Sequence, residues 1–179
     1  MKGYSLHVGV GRVSKEAYGS DKAMMSCEKD VEIMKELISK SGAKYIETES
    51  IKSKRATSSA FFKKLKDIAD MANKEPNGAY VVITYSGHGA SFKFEYQKEN
   101  IEFLCFYDRM VMEHEIINLL HLFNEKVKLF IILDACHSNG IGVFGRSILK
   151  DGRKNKALNE NELSSIMKHK DNQKKYNKL

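Results

Sequence analysis

Apolar runs and helical periodicities alternate along the 179 residues, and the alternation predicts an architecture. "YSLHVGV" (4–10) reads as a strand, and a Gly/Ser/Lys-rich loop follows to about residue 26. In "CEKDVEIMKELISKSG" (27–42) the spacing of Val31, Met34, Leu37 and Ile38 marks one helical face, with Gly42 as the stop. "KYIETE" (44–49) is a short strand, and "ATSSAFFKKLKDIADMANK" (56–74) is a second amphipathic helix with serines near its start as caps. "GAYVVITYSG" (78–87) is continuously apolar, the pattern of a strand buried on both faces. "SFKFEYQKENIEFLCFY" (91–107) alternates around a polar turn and predicts a hairpin; 112–123 is a third helix, and "VKLFIILDAC" (127–136) a second fully buried strand. This order predicts an α/β fold with a doubly wound, mainly parallel sheet flanked by helices. Ligands of such sheets bind at the carboxyl ends of the strands.

Composition adds little except at the C-terminal end. With 42% hydrophobic and 30% charged residues, the chain suits one soluble globular domain. The formal charge of +7 is uneven: residues 150–179 hold nine Lys/Arg against four Asp/Glu. No regular aromatic-basic interleaving accompanies these lysines, Tyr176 being the one Phe, Tyr or Trp among them, which argues against a nucleic-acid partner. We expect a core over 1–149 and a basic, flexible tail or linker over 150–179. Three cysteines without CxxC spacing, no apolar leader and no membrane-length run point to a reducing, cytoplasmic setting.

Candidate chemistry sits where two of the predicted buried strands end. "YSGHGA" (85–90) puts His88 between Gly87 and Gly89, and "DACHSNG" (134–140) puts Cys136 at the end of the later strand. Glycines beside the histidine let backbone approach a substrate without a Cβ in the way. A thiol needs exposure, a nearby acid or base, and backbone donors for an oxyanion. Each residue alone has a plainer explanation, His88 as a turn residue and Cys136 as strand packing. Their joint position at one sheet edge makes a Cys–His hydrolase an equal alternative.

The two motifs, 48 residues apart with the histidine first, resemble the catalytic motifs of caspase-like cysteine peptidases, most closely metacaspases and bacterial orthocaspases. "CEKDVEIMKELI" resembles the first-helix Cys-x-x-Asp motif of that family, and "FYDRMVMEHEIINLL" its Asp-bearing segment before a helix. The resemblance runs from residue 4 to about 140. It implies that His88 is the general acid, that Cys136 is the nucleophile, and that the backbone N–H groups of Gly89 and Cys136 hold the oxyanion. It further implies an acidic specificity pocket built from Asp30, Ser86 and Asp134, taking Arg or Lys before the scissile bond of a protein or peptide. Read alone, Asp30 is better explained as a solvated first-turn helix charge. Asp134, at the end of a buried strand, requires a partner.

No metal or cofactor is expected. The stretch after His88 has no oxygen-rich calcium cage, leaving only scattered acids such as Glu95, Glu99 and Asp108. Cys27, Cys105, His114 and His121 fall at no zinc spacing. The competing readings are a catalytically silent caspase-like binding scaffold and a separase- or clostripain-like peptidase on the same fold. The resemblance also implies two further strands after the catalytic cysteine, and only "IGVFGRSIL" (141–149) has strand character. A C-terminal small-subunit chain cut from the same precursor is therefore expected to complete the sheet. Lys168, Lys170, Lys174, Lys175 and Lys178 are candidate cleavage points.

Overall fold

The computed structural model describes residues 1–19, 21, 23–24, 26–41, 45–92 and 101–135. Its central sheet holds β1 (Lys2–Gly9), β2 (Tyr45–Lys52), β3 (Ala79–Ser86) and β7 (Val127–Asp134) in the order β2-β1-β3-β7, all parallel. The chain winds outward from β1 to β2, then returns to place β3 on the other side. The order therefore reverses between β1 and β3, the position where doubly wound sheets open a crevice at their carboxyl edge. A small antiparallel sheet, β4 (Gly89–Phe92), β5 (Ile101–Cys105) and β6 (Met110–Met112), branches from the end of β3. The expected hairpin is thus present, extended by a third short strand. A four-residue helix, α1 (Lys15–Tyr18), lies in the stretch read as loop; Ser14 caps it by accepting from Ala17 N, and Gly19 closes it at φ 68°.

Helices cover both faces of the parallel sheet. α3 (Ser58–Ala72) packs Phe61, Leu65, Ile68 and Ala72 against Tyr4, Leu6 and Val8 of β1 and Val10 just beyond it, joined by Ile116 of α4 (Glu113–Leu120). α2 (Ser26–Ser39) takes the opposite face, burying Cys27, Val31 and Ile38. Leu37, expected on the inner face, is 57% exposed. Cys27, Val31 and Ile38 advance by four and seven, keeping the stripe one narrow face wide, and Leu37 falls beside it.

The loop at residues 106–108 ties these layers together. Asp108 accepts from the N–H of Ser58 at 2.6 Å and its hydroxyl at 2.7 Å, completing the start of α3 that Thr57 caps through Ala60 N. That carboxylate is thereby committed to structure. Ser14 N donates to Tyr107 O, Tyr107 N to Ala56 O, and the Tyr18 hydroxyl to Phe106 O. Nearby, Arg109 makes a two-pronged bond to Glu115, 3.0 Å on each arm, and stacks over Phe62.

The two long apolar strands differ in the structure. β3 is buried at all but one position, whereas β7 alternates, with Phe130 51% and Ile132 43% exposed. The expected second fully buried strand is therefore half-buried. β3 has neighbours on both sides; β7, among the described residues, pairs with β3 alone. Among these residues no helix is long and apolar enough to cross a membrane.

One buried polar pair has a measurable consequence. On the α2 face of β1, fully buried His7 bonds through Nδ1 to Thr84 Oγ1 at 2.9 Å. Among the described residues its Nε2 meets no hydrogen-bond partner. Burial above all, with Lys35 adding and Glu32 opposing, lowers its pKa from 6.5 to about 4. The unfolded chain takes up this proton near pH 6.5 and the folded chain only near 4. Stability is therefore full above pH 6.5 and falls as pH drops through that window, by about 3 kcal/mol for this group. Urea unfolding of the native chain and a His7→Gln variant at pH 7, 5.5 and 4 should show this pH-dependent difference. An identical pH slope in both proteins would rule it out.

Candidate active site

Gly9, Ser86 and Asp134 lie in register, so β1, β3 and β7 end at one level. The chain beyond them is bonded across: Val10 N donates to Ser86 O at 2.8 Å, and Gly87 N to Asp134 O at 3.3 Å. These bonds continue the ladder past the strand ends and fix where His88 emerges.

His88, only 6% exposed, stands between β3 and β4. Its carbonyl accepts from Cys105 N at 3.0 Å and from the Tyr85 hydroxyl at 3.0 Å. The same hydroxyl reaches Cys105 O at 2.7 Å. Complete burial pushes the Tyr85 phenol well above its ordinary pKa, so it stays a donor. Tyr85 is thus a positioning residue for His88 that the sequence reading missed. The available signal was a tyrosine and a glycine two apart at the end of a strand, which share a face.

That pair also explains Gly87. A Cβ there would lie 2.4 Å from the Tyr85 hydroxyl, so the glycine makes room for the tyrosine ring. This packing requirement operates whether or not substrate approaches. Gly89 opposes Leu104, and the adjoining His88 and Cys105 form the hydrogen-bonded pair. By the alternation of antiparallel ladders, the Gly89 N–H points away from β5.

On the α2 side, the Ser86 hydroxyl donates to Asp30 Oδ2 at 2.6 Å. Asp30 is thus engaged at the strand end rather than solvated in the first helical turn. Its approach depends on close packing of α2 on β1: a Cβ on Gly9 would lie 2.6 Å from Cys27 O and 2.7 Å from a Val31 methyl. Asp134 is half-buried and in register with Ser86. Paired residues of parallel strands share a face, so its side chain projects to the same side as that of Ser86. Asp30, Ser86 and Asp134, 104 residues apart from first to last in sequence, thus gather beside His88.

Cys136 lies outside the described residues, immediately after Ala135, and with it the second expected oxyanion donor. The other two cysteines are fully buried. Burial pushes the Cys105 thiol up to about 12, which keeps it protonated and unreactive. Glu95 and Glu99 also lie outside the described residues, and among those described no three His, Cys, Asp or Glu side chains converge as metal ligands.

Comparison with known proteins follows from this geometry. The crystal structure of protein GSU0716 from Geobacter sulfurreducens matches with a TM-score of 0.74 at 21% identity, a likeness of fold. The match covers 99% of this chain and 64% of that one, so the chain spans less than two thirds of that protein's length. No curated protein matches. A family model described as Caspase domain matches residues 13–178.

Proposed function

The chain belongs to the caspase-domain family of cysteine peptidases, and on that premise we propose that it is an endopeptidase of metacaspase type that cleaves after Arg or Lys. The single observation that carries the specificity is the Ser86–Asp30 contact at 2.6 Å, held beside His88 and in register with Asp134. Two carboxylates flanking one hydroxyl can bind a guanidinium through charge-assisted, two-pronged bonds, and an ammonium with less geometric help. An aspartate side chain offered to the same pocket would meet like charge.

The proposed chemistry follows from the strand ends. The Cys136 thiolate attacks the scissile carbonyl carbon, and the negative charge moves to the carbonyl oxygen, facing the Gly89 and Cys136 N–H groups. His88 gives a proton to the leaving amine as the C–N bond breaks, leaving a thioester. Water then attacks the thioester, releasing the acid and restoring the thiol. The Tyr85 hydrogen bond to the His88 carbonyl and the outward-pointing Gly89 N–H support these roles. Initial rates on matched Arg, Lys and Asp reporter peptides test the assignment. Arg and Lys turnover with none for Asp is expected; Asp preference would reject the pocket, and inactivity on all three would favour a binding scaffold.

The working enzyme in this proposal includes a companion chain from the same precursor, separated within the basic segment 150–179. Support comes from β7, which among the described residues pairs with β3 alone and carries exposed Phe130 and Ile132, apolar surface for a further element to cover. Intact-mass analysis of active material should find two polypeptides. Full activity from a single 20.4 kDa species would sink this part of the proposal.

A further inference from the structure

A second feature opens on the carboxyl edge of the sheet, on the β2 side of His88. It is a cleft of ≈ 610 Å³ between the chain leaving β1 and the single turn after β2. Arg12, Lys52, Lys54 and Arg55 line it, with Glu28 as its carboxylate. Lys52 is paired with Glu32 at 2.6 Å, and Glu28 is bonded to the Ser53 hydroxyl. Arg12, Lys54 and Arg55 make no ion pair among the described residues, as is true of several lysines elsewhere on the surface; what sets these three apart is that they line one cleft. Three uncompensated cations therefore face one concavity.

The cleft is also held in shape at a cost. Ser53 has φ 52°, the left-handed region that residues other than glycine enter only with a steric penalty. Its hydroxyl bond to Glu28, and its carbonyl accepting from Ala56 N at 3.0 Å, hold the turn that presents Lys54 and Arg55. Glu28 lies two residues before Asp30 on α2. One end of that helix therefore borders both features, Asp30 toward Ser86 and Glu28 toward Ser53.

We infer that this cleft is a subsite for acidic side chains of the polypeptide substrate, so that the preferred substrate pairs a basic residue with Asp or Glu nearby. The inference rests on the proposed peptidase reading. From the end of β3 to the end of β2 is two strand spacings, roughly 10 Å. An extended peptide advances about 3.3 Å per residue, so the acid falls two to four residues from the basic residue. Carboxylates suit Arg12 and Arg55 because guanidinium groups bind them with two parallel N–H donors. At such exposed positions the attraction weakens as salt rises.

Binding to the Cys136→Ala chain tests this without turnover. Fluorescent peptides carry one Arg with two Glu, or two Gln, placed two to four residues away on either side, each with an Arg→Ala counterpart. At low ionic strength the Glu/Arg peptide should bind about tenfold more tightly than Gln/Arg, converging near 0.5 M salt. Arg12→Gln with Arg55→Gln should bring the ratio within about twofold, and Arg12→Glu with Arg55→Glu should make Lys flanks the better ones. Equal binding of the Glu and Gln peptides, absence of binding by the Glu peptides, or a Glu advantage surviving in the glutamine variant overturns the inference. Tighter binding of a single-stranded oligonucleotide, dependent on the same arginines, also overturns it. The basic-residue reading fails separately, if Gln/Arg binds no better than Gln/Ala while the Glu advantage persists.

Discussion

Cys136→Ala is expected to reduce cleavage of an Arg reporter to the uncatalysed background while the chain still folds. The substitution removes the atom that forms the thioester and leaves neither an unpaired charge nor a large cavity. His88→Ala should come close to the same loss, because the leaving amine would depart without its proton. Residues acting as one unit are non-additive, so the double variant should be no slower than the worse single one. Circular dichroism melts alongside initial rates separate lost chemistry from lost fold. Turnover retained by the Cys136→Ala protein would end the mechanism. Neither remaining cysteine offers an easy substitute, since Cys27 and Cys105 are both fully buried.

The second large effect concerns the pocket. Asp134→Ala should lower kcat/KM on an Arg peptide by 2–5 kcal/mol, on the order of what truncating one partner of a buried charge pair costs. Asp30→Ala should act in the same direction but less strongly. Its removal leaves Asp134 as one carboxylate for the substrate cation and strips Ser86 of its acceptor. An Asp30→Asn variant keeps an acceptor for that hydroxyl and removes the charge, so it isolates the electrostatic part. Comparing Arg with a neutral isostere in each variant reads the charge contribution directly. An equal loss on both peptides would mean that these residues support the fold rather than select the substrate.

The candidate residues differ in how legibly the sequence marks them. His88 and Cys136 stand out because their motifs are short, continuous in sequence and placed after apolar runs. Asp30 did not, since a carboxylate in the first turn of a helix is favourable by itself. Only its hydrogen bond to Ser86, 56 residues away, distinguishes it. Gly87 was read as clearance for a substrate, whereas its nearest obstruction is the Tyr85 ring. The acid considered as a scattered calcium ligand, Asp108, holds the start of α3.

Sequence periodicity alone determined the kinds of elements, their order, and hence a mainly parallel α/β sheet. These are local properties: an apolar run, a repeat near 3.6 residues and a glycine-bounded turn each act over a few neighbours. It could not rank "AYVVITYS" against "VKLFIILD", because both are apolar runs of strand length. Pairing decided that the first is central and buried, whereas the second, among the described residues, pairs on one side only and leaves Phe130 and Ile132 exposed. Tertiary structure likewise brought residues 30, 86 and 134 to one level and gathered Arg12, Lys54 and Arg55 around another opening. Burial and proximity depend on which strands lie side by side, and that order is set by how the whole chain packs.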